Sequence, residues 1–593
     1  MKIFWKAFFA SLLAIVIASF LFIFILIGII TSLTAFKDKA ITIKEKSLLL
    51  LKLDNQIVER KSNNPLEDLD LPGIKSSSTT GLNQILNCID KAKTDSRIRG
   101  IYLELSDIHA GYATVEEIRN ALIDFKTSGK FIYAYSDDIS QKAYYLATTA
   151  DSLIMNPMGT FDFRGLNAEN TFFKKALDKF GIEMQVVRGK NNKFKSAVEP
   201  FLYDKMSDAN REQTSIYLNS IWNFVLKGIS KDRKISVDSL KAYADDVMTF
   251  QLPEKALKCG FFDNLKYKDQ VLADFRKLVQ LGARDEIPVV TVNEYFKVNI
   301  PNEALAMTKD HIAIVYAEGE IDSGGSSFAY QIDSKEVSKG IREARMDSTV
   351  KAIVLRVNSP GGSAFGSEVI WREVKLAQQA KPVIVSMGDY AASGGYYISC
   401  GAEAILAQPT TITGSIGVFG VIPNLSGLLT DKIGITFDKV STNEHADMPS
   451  FTRKMTPFEM NLMQNHVESI YKIFVSHVAE GRKKTTYSID SIGQGRVWSG
   501  INGNEIGLVD KLGGLNDAVK LAASKAGIQH YRIKELPKLK DTFEELLKNF
   551  STSVQSIFLQ SRLGDSYELY ENFTRESKMR GIYTRMPFNL EIN

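Results

Sequence analysis

The hydrophobic pattern of the chain begins with one long apolar run. No ionisable side chain occurs between Ala7 and Phe36, and a bilayer core needs only about 20 apolar residues. A cleaved signal peptide has a shorter apolar core of about 7–15 residues, followed by a small-residue cleavage site. We therefore expect an uncleaved transmembrane anchor over residues 7–31. Lys2 and Lys6 favour a cytoplasmic side for residues 1–6, which places the rest of the chain outside the cytoplasm.

Beyond residue 45, short β-branched or apolar runs alternate with helix-like segments. This alternation predicts an α/β fold with a mostly parallel sheet. The predicted strands are 47–53, 100–105, 131–135, 312–316, 352–357 and 382–386, and the predicted helices are 115–126, 367–380 and 392–400. Longer amphipathic helical segments are expected at 205–300 and 455–485.

The chain is similar to itself when it is shifted by 252 positions. In this register Ile101 meets Ile353 and Gly165 meets Gly417 without a gap. Upstream, the segment that ends at Ile57 resembles the segment 264 positions later, so the first copy has a connecting loop 12 residues longer. We predict two tandem copies of one α/β unit, at residues 45–300 and 305–533. A tail at 534–593 follows, to which the pattern assigns no role.

Composition narrows the classes of function. Lys+Arg 73 against Asp+Glu 69 in 593 residues give a formal net charge of +4, which excludes a nucleic-acid binder that relies on bulk positive charge. The cysteines Cys88, Cys259 and Cys400 are far apart and fit neither a disulfide framework nor a CxxC metal site. The six histidines never occur at the i, i+4 spacing of a helical zinc site. We therefore expect no metal and no cofactor.

The candidate catalytic residues of the second copy lie in two glycine-bearing turns, at residues 358–363 and 388–395. Ser393 follows a predicted strand and begins a predicted helix, where backbone donors favour developing negative charge. An isolated Ser-Gly-Gly is more often a helix cap. In the first copy, however, Ser393 is replaced by Gln141, although the scaffold is retained. This difference favours an acyl-transfer site with Ser393 as nucleophile and the N–H groups of Gly362 and Gly394 as oxyanion donors.

A serine hydroxyl needs a base, and neither glycine turn contains a histidine. The nearest downstream histidine, His445, lies in a polar stretch. A neutral lysine can serve if burial lowers its pKa from about 10.4. Lys195 lies in an apolar segment with Phe194 and Phe201 at its ends, whereas Lys193 is next to asparagines. On the residues alone, a solvated surface position remains the commoner interpretation of any single lysine.

At these residues the sequence resembles the long, duplicated form of the signal peptide peptidase A family, also called protease IV. The resemblance covers the anchor and both copies, to about residue 530, and its motifs are residues 194–201, 358–363, 388–395 and 413–418. It implies two copies of a unit like that of the crotonase and caseinolytic-protease group. It also implies a Ser/Lys dyad with Ser393 as nucleophile and Lys195 as general base, supported by Ser415 and Gly361.

The resemblance further implies a membrane-anchored serine endopeptidase that degrades remnant signal peptides and other hydrophobic peptides. The expected location is the inner membrane, single-pass, with a cytoplasmic N-terminus and periplasmic catalytic domains. The expected partners are hydrophobic signal peptides, the lipid bilayer and further copies in a homotetramer, with no nucleic acid.

Three other functions remain open at this stage. A catalytically silent membrane scaffold could use the same fold to bind peptides. A crotonase-like acyl-CoA enzyme would also use glycine-turn amides, but an active site outside the cytoplasm has no CoA supply, and no basic phosphate-binding cluster stands out. A Ser-His-Asp hydrolase requires a distant histidine to fold onto Ser393.

Overall fold

The computed structural model describes residues 2–37, 42–62, 79–300, 307–322, 331–539 and 581–585. The first element is a helix at Lys2–Lys37, which includes the expected anchor. Its window Phe4–Leu21 has a mean hydropathy of 2.0 and is not buried, so this helix is long and apolar enough to cross a membrane.

Strands and helices alternate in the first half, as the sequence predicts. The strands are β1 Ser47–Leu51, β2 Gln56–Val58, β3 Thr79–Gly81, β4 Ile98–Glu104, β5 Phe131–Ile139, β6 Ser152–Phe161, β7 Glu183–Arg188, β8 Asn264–Leu265 and β9 Val289–Thr291. The α-helices are Leu82–Thr94, Tyr112–Lys126, Gln141–Ala147, Lys174–Phe180, Glu199–Leu202, Asp208–Arg233, Val237–Asp245, Pro253–Lys258, Lys268–Leu278 and Val292–Phe296. Single 3-10 turns occur at Ser196–Val198 and Met248–Phe250.

The second half repeats this order. Its strands are β10 His311–Glu318, β11 Glu320–Asp322, β12 Gln331–Asp333, β13 Val350–Ser359, β14 Gly361–Ser363, β15 Val383–Ala392, β16 Ala404–Ala407, β17 Ile412–Gly414, β18 Phe419–Asn424, β19 Val497–Ser499, β20 Lys511–Leu512, β21 Arg532–Leu536 and β22 Gly581–Arg585. The helices are Ser334–Met346, Ala364–Gln378, Gly394–Ser399, Pro457–Gly481, Thr486–Ile492, Gly500–Glu505 and Leu515–Ala526, with a π-helix at Gly427–Ile433.

Each copy is built on a sheet with the same strand order. The first sheet runs β8-β6-β5-β4-β1-β9 and all its pairs are parallel. The second contains the equivalent path β20-β16-β15-β13-β10-β21, also parallel, with β17 beside β15. Helices cover the central strands, which explains why their sequences are continuous apolar runs rather than alternating ones.

Equivalent helices of the two copies occur at the predicted offset of 252 positions. The helices Leu82–Thr94 and Ser334–Met346 are 252 positions apart at both ends, and so are Tyr112–Lys126 and Ala364–Gln378. Between β2 and β3 lie 20 residues, and between the matching β11 and β12 lie 8. The loop of the first copy is therefore 12 residues longer, as expected from the change of offset from 264 to 252.

Two details differ from the sequence prediction. The helix predicted at 392–400 begins only at Gly394, because β15 continues to Ala392 and Ser393 has a positive φ that breaks both elements. The boundary expected between residues 533 and 534 falls inside β21, which pairs with β10. Part of the predicted tail is therefore a strand of the second sheet.

A third sheet joins the two copies. Its order is β12-β11-β14-β22-β18-β7, so it combines β7 of the first copy with strands of the second. β7 pairs antiparallel with β18 over six residue pairs, from Glu183 opposite Asn424 to Arg188 opposite Phe419. Three residues of the second copy, Ala392, Ile412 and Val497, also pack in the hydrophobic core of the first copy, whereas the second copy has core clusters of its own.

Candidate active site

Ser393 stands at the turn between β15 and the helix Gly394–Ser399. Its backbone has φ 55° and ψ −111°, a conformation that non-glycine residues rarely adopt. Its N–H donates to the carbonyl of Gly414 at 2.8 Å, and its own carbonyl accepts from Tyr397 N–H at 2.8 Å. Strained backbone held in this way is common at functional sites, and the Ser393 side chain itself is buried, with 0% exposure.

Lys195 comes from the other copy, at the start of the 3-10 turn Ser196–Val198. Its side chain is 1% exposed, and its Nζ lies 2.8 Å from Ser393 Oγ. The same Nζ lies 3.0 Å from Ser415 Oγ and 3.1 Å from the Ser415 carbonyl oxygen. The structure thus brings together three residues that are far apart in sequence.

The environment of Lys195 disfavours its charged form. Burial holds the pKa of this ammonium well below its usual range, because desolvation penalises the charged form. A neutral amine has a lone pair that can accept the proton of the adjacent hydroxyl. The contacts of Ser393 Oγ are with Lys195 Nζ and, at 3.4 Å, the Gly417 carbonyl.

Two polar side chains that sequence analysis missed hold the lysine segment. Gln213 donates from Nε2 to the Phe194 carbonyl at 3.1 Å and to Ser196 Oγ at 2.9 Å. Its Oε1 accepts from Val497 N–H of the second copy at 3.1 Å. Asn192 donates to the carbonyl of Val418 at 2.7 Å. Neither residue carries a motif in the sequence, so only tertiary contacts reveal this support.

Close backbone packing also fixes the lysine. Gly495 has φ 80°, and a Cβ at this position would lie 2.5 Å from Lys195 Cβ. Phe194 N–H donates to the Gln494 carbonyl at 3.0 Å, and Ser415 N–H donates to the Arg496 carbonyl at 2.7 Å. The segment around Gly495 therefore touches both Lys195 and Ser415.

The two glycine turns lie next to each other. Ser359 pairs with Ala391 where β13 and β15 meet, and a Cβ on Gly395 would lie 2.6 Å from the Ser359 carbonyl oxygen. Gly361 donates its N–H to Ser359 Oγ at 3.2 Å. Gly362 has φ 152°, and a Cβ there would approach the Ile321 carbonyl oxygen to 2.1 Å, so only glycine fits. Gly394 is the first residue of its helix, a position whose N–H has no intrahelical partner.

The strand β22 lies directly against the first glycine turn. It pairs antiparallel with β14 on one side, where Gly362 faces Thr584, and with β18 on the other, where Phe419 faces Tyr583. A segment near the C-terminus therefore fills a space one strand wide between β14 and β18. An extended chain segment fits this space.

His445 lies elsewhere. Its Nδ1 is 3.2 Å from Glu459 and its ring stacks on Phe458. The basic side chain in contact with Ser393 Oγ is that of Lys195, so the arrangement does not support a Ser-His-Asp site.

Comparison with known proteins shows which family the chain belongs to. The model of peptidase family S49 matches residues 124–282 and 375–529. The chain belongs to this family. Protease 4 of Salmonella typhi is 36% identical over 86% of this chain and 84% of its own. Protease 4 of Haemophilus influenzae is 33% identical over 84% and 82%. The chloroplastic serine protease SPPA of Arabidopsis thaliana is 32% identical over 81% and 72%.

These relatives identify this S49 peptidase as a serine peptidase. The family resemblance stated from the motifs is confirmed, and the two matched segments, one in each copy, confirm the internal duplication. Among solved structures, a ClpP1 mutant from Listeria monocytogenes covers 35% of this chain and 94% of its own at 15% identity, with a TM-score of 0.24.

Proposed function

We propose that this S49 peptidase is an endopeptidase with a Ser/Lys dyad, in which the first repeat (45–300) supplies Lys195 and the second (305–533) supplies Ser393. The observation that carries the proposal is the 2.8 Å contact between a buried lysine amine and the hydroxyl of a serine in a strained turn. Neither repeat contains both groups, so the site forms between the repeats.

Each group has one role in the proposed reaction. Lys195 accepts the Ser393 proton as Oγ attacks a peptide carbonyl, and the resulting ammonium then protonates the leaving amine. Water, deprotonated by the same amine, releases the acyl group from Ser393. Ser415 orients the Lys195 amine through its hydroxyl and carbonyl. The N–H groups of Gly362 and Gly394 stabilise the oxyanion, and Gly361 supports the turn.

The substrate is proposed to be an apolar peptide bound as an extended strand between β14 and β18. The pairing of β22 in this space supports the binding mode, since main-chain hydrogen bonds on both sides hold any extended segment. Apolar side chains beside it, including Phe419 and Val421, form a cluster with Ala197 and Val198 next to Lys195. An apolar wall of this kind favours hydrophobic sequences such as remnant signal peptides.

The N-terminal helix supports a location at the membrane. We place residues 1–6 in the cytoplasm, residues 7–31 across the inner membrane as a single span, and both repeats on the periplasmic face. A tethered site on that face meets peptides left in the bilayer after precursor cleavage. The active form is proposed to be a homotetramer.

The proposal is tested with the full-length protein in detergent. Ser393→Ala and Lys195→Ala should each lower the rate at which a hydrophobic peptide library is cleaved by about 10²- to 10⁴-fold. The circular dichroism spectra of both variants should match that of the wild type. A serine-directed fluorophosphonate probe should label the wild type but not Ser393→Ala. Lys193→Ala is the matched control, because this neighbouring lysine is exposed. Near-normal turnover by folded Lys195→Ala would refute the dyad.

A further inference from the structure

A bulge in β15 lies directly before the turn that carries the nucleophile. The regular pairs of β13 and β15 on either side of it are Val357 with Met387 and Ser359 with Ala391. Between these pairs one residue of β13, Asn358, faces three residues of β15, 388–390. A bulge takes backbone groups out of the regular ladder and bends its strand. Because Ser393 lies three residues beyond the bulge, the shape of the bulge decides where β15 places the nucleophile.

The side chain of Asn358 spans this bulge. Its Oδ1 accepts the N–H of Tyr390, the last residue of the bulge, at 3.1 Å. Its Nδ2 donates to Glu59 Oε1 of the first repeat at 3.0 Å. An amide carries a donor and an acceptor on one planar group. This single side chain therefore joins the nucleophile strand of the second repeat to the first repeat.

Glu59 is a fixed partner for this amide. Its side chain is 2% exposed and paired with Arg356, and its N–H donates to Glu318 Oε1 at 3.1 Å. The bulge has no spare room, since a Cβ on Gly388 would lie 2.5 Å from Glu59 Oε1 and 3.0 Å from Asn358 Cγ. The carboxylate, the amide and the bulge are therefore packed in direct contact.

The first copy shows that the fold itself does not require this asparagine. At the offset of 252, Asn358 corresponds to Ser106, which is exposed. The neighbouring Asp389 corresponds to another aspartate, Asp137, so that side chain is kept in both copies. The copy with the nucleophile has the amide, whereas the copy without it has a serine, whose polar atom is one bond nearer the backbone. This difference associates the amide with catalysis rather than with folding.

We propose that Asn358 is a positioning residue, which holds the bulge of β15 and so sets the position of Ser393 against Lys195. The inference rests on the proposed dyad, because it concerns the distance between the serine hydroxyl and the lysine amine. The strand that binds the substrate is held separately, since β14 pairs with β11 through Gly362 and Ile321. Loss of the amide should therefore misplace the nucleophile and leave peptide binding unchanged.

The test compares kcat and KM for a hydrophobic peptide in full-length variants in detergent. In Asn358→Ala, kcat should fall about 10²-fold, since a displacement of about 1 Å at a reacting group has this effect. KM should stay at the wild-type value. Asn358→Ser should give the same result, and it introduces the residue that the same unit carries in the first copy. The serine variant decides the question if the alanine variant does not fold.

Asn83→Ala is the matched control. Asn83 of the first repeat also donates an amide N–H across the boundary between the repeats, to Glu535 Oε1 at 2.9 Å, and it is half-buried like Asn358. This variant should lower the melting temperature by a similar amount without changing kcat. Equal losses of kcat in Asn83→Ala and Asn358→Ala would overturn the positioning role. Wild-type kcat in a folded Asn358 variant, or a change confined to KM, would overturn it as well.

A fluorophosphonate probe separates failure of this inference from failure of the dyad. The expected result is labelling of Ser393 in both the wild type and Asn358→Ser, about 10²-fold more slowly in the variant. If the wild type is not labelled at Ser393, the dyad fails and the positioning role falls with it. If both proteins are labelled at the same rate, the nucleophile stands and the positioning role alone is overturned.

Discussion

Arg356 of the second repeat and Glu59 of the first form a buried ion pair. Arg356 Nε lies 2.7 Å from Glu59 Oε2, and the side chains are 0% and 2% exposed. Glu117, also from the first repeat, forms a second ion pair with the same guanidinium, with its Oε1 2.6 Å from Arg356 Nη1. Because Lys195 and Ser393 lie in different repeats, contacts that fix one repeat against the other also fix the distance between Nζ and Oγ.

Replacing Arg356 should therefore affect both stability and activity. Arg356→Met leaves two buried carboxylates without their cation, and we expect a loss of about 3–5 kcal/mol in the free energy of unfolding. Peptidase activity should fall together with stability. Arg342→Met is the control, because Arg342 is 57% exposed in its pair with Glu373 and should cost at most about 1 kcal/mol. Denaturant unfolding measures the free energy of unfolding of each variant. Equal losses in Arg356→Met and Arg342→Met would contradict an interface role for Arg356.

The pH dependence of catalysis should report Lys195. Burial lowers the pKa of this amine, so the neutral base is present at a lower pH than for an ordinary lysine, and kcat/KM should rise with pH through that lowered value. The unfolded chain binds the proton more tightly over the same window, up to about 10.4, so stability should also rise with pH there. A kcat/KM profile with its acid limb at the ordinary lysine value would contradict this expectation.

Gln213 should act as a positioning residue. Gln213→Ala leaves the Phe194 carbonyl and the Val497 N–H without their partner, which should cost about 1–3 kcal/mol of stability. Because the Phe194 carbonyl is next to Lys195, kcat should fall more than KM changes, and the acid limb of the pH profile should move. Glu212→Ala is the control, because Glu212 is an exposed neighbour that accepts a hydrogen bond from Arg496. This variant should change neither the stability nor kcat and its pH profile. A stability loss with an unchanged pH profile would leave Gln213 a purely structural role.

Removing β22 should open the space between β14 and β18. Deletion of residues 581–593 should raise kcat/KM for short hydrophobic peptides, by about 10-fold if the segment occupies the space nine-tenths of the time. Deletion of residues 586–593 alone keeps β22 and serves as the control. The two truncated proteins are compared in one peptide assay. Identical rates would show that β22 does not compete with substrate.

Local sequence determined most of the fold. The apolar runs at 312–316 and 352–357 became the central strands β10 and β13, and the constant offset of 252 placed equivalent helices at identical bounds. Hydrophobic periodicity carries this information because a buried parallel strand needs an apolar run whatever lies around it. The exact turn at Ser393 was not predicted, since β15 extends to Ala392 only through its pairing with β17.

For the site, the sequence by itself determined which residue types could react, because one copy carries a serine followed by two glycines and the other carries a lysine in an apolar segment. Tertiary structure decided that these groups meet, at 2.8 Å across 198 positions of sequence. It also decided that the amine is buried, that Gln213 holds its segment, and that Arg356 is neutralised by the opposite repeat. Burial and charge pairing depend on long-range packing between the repeats, and no local pattern encodes them.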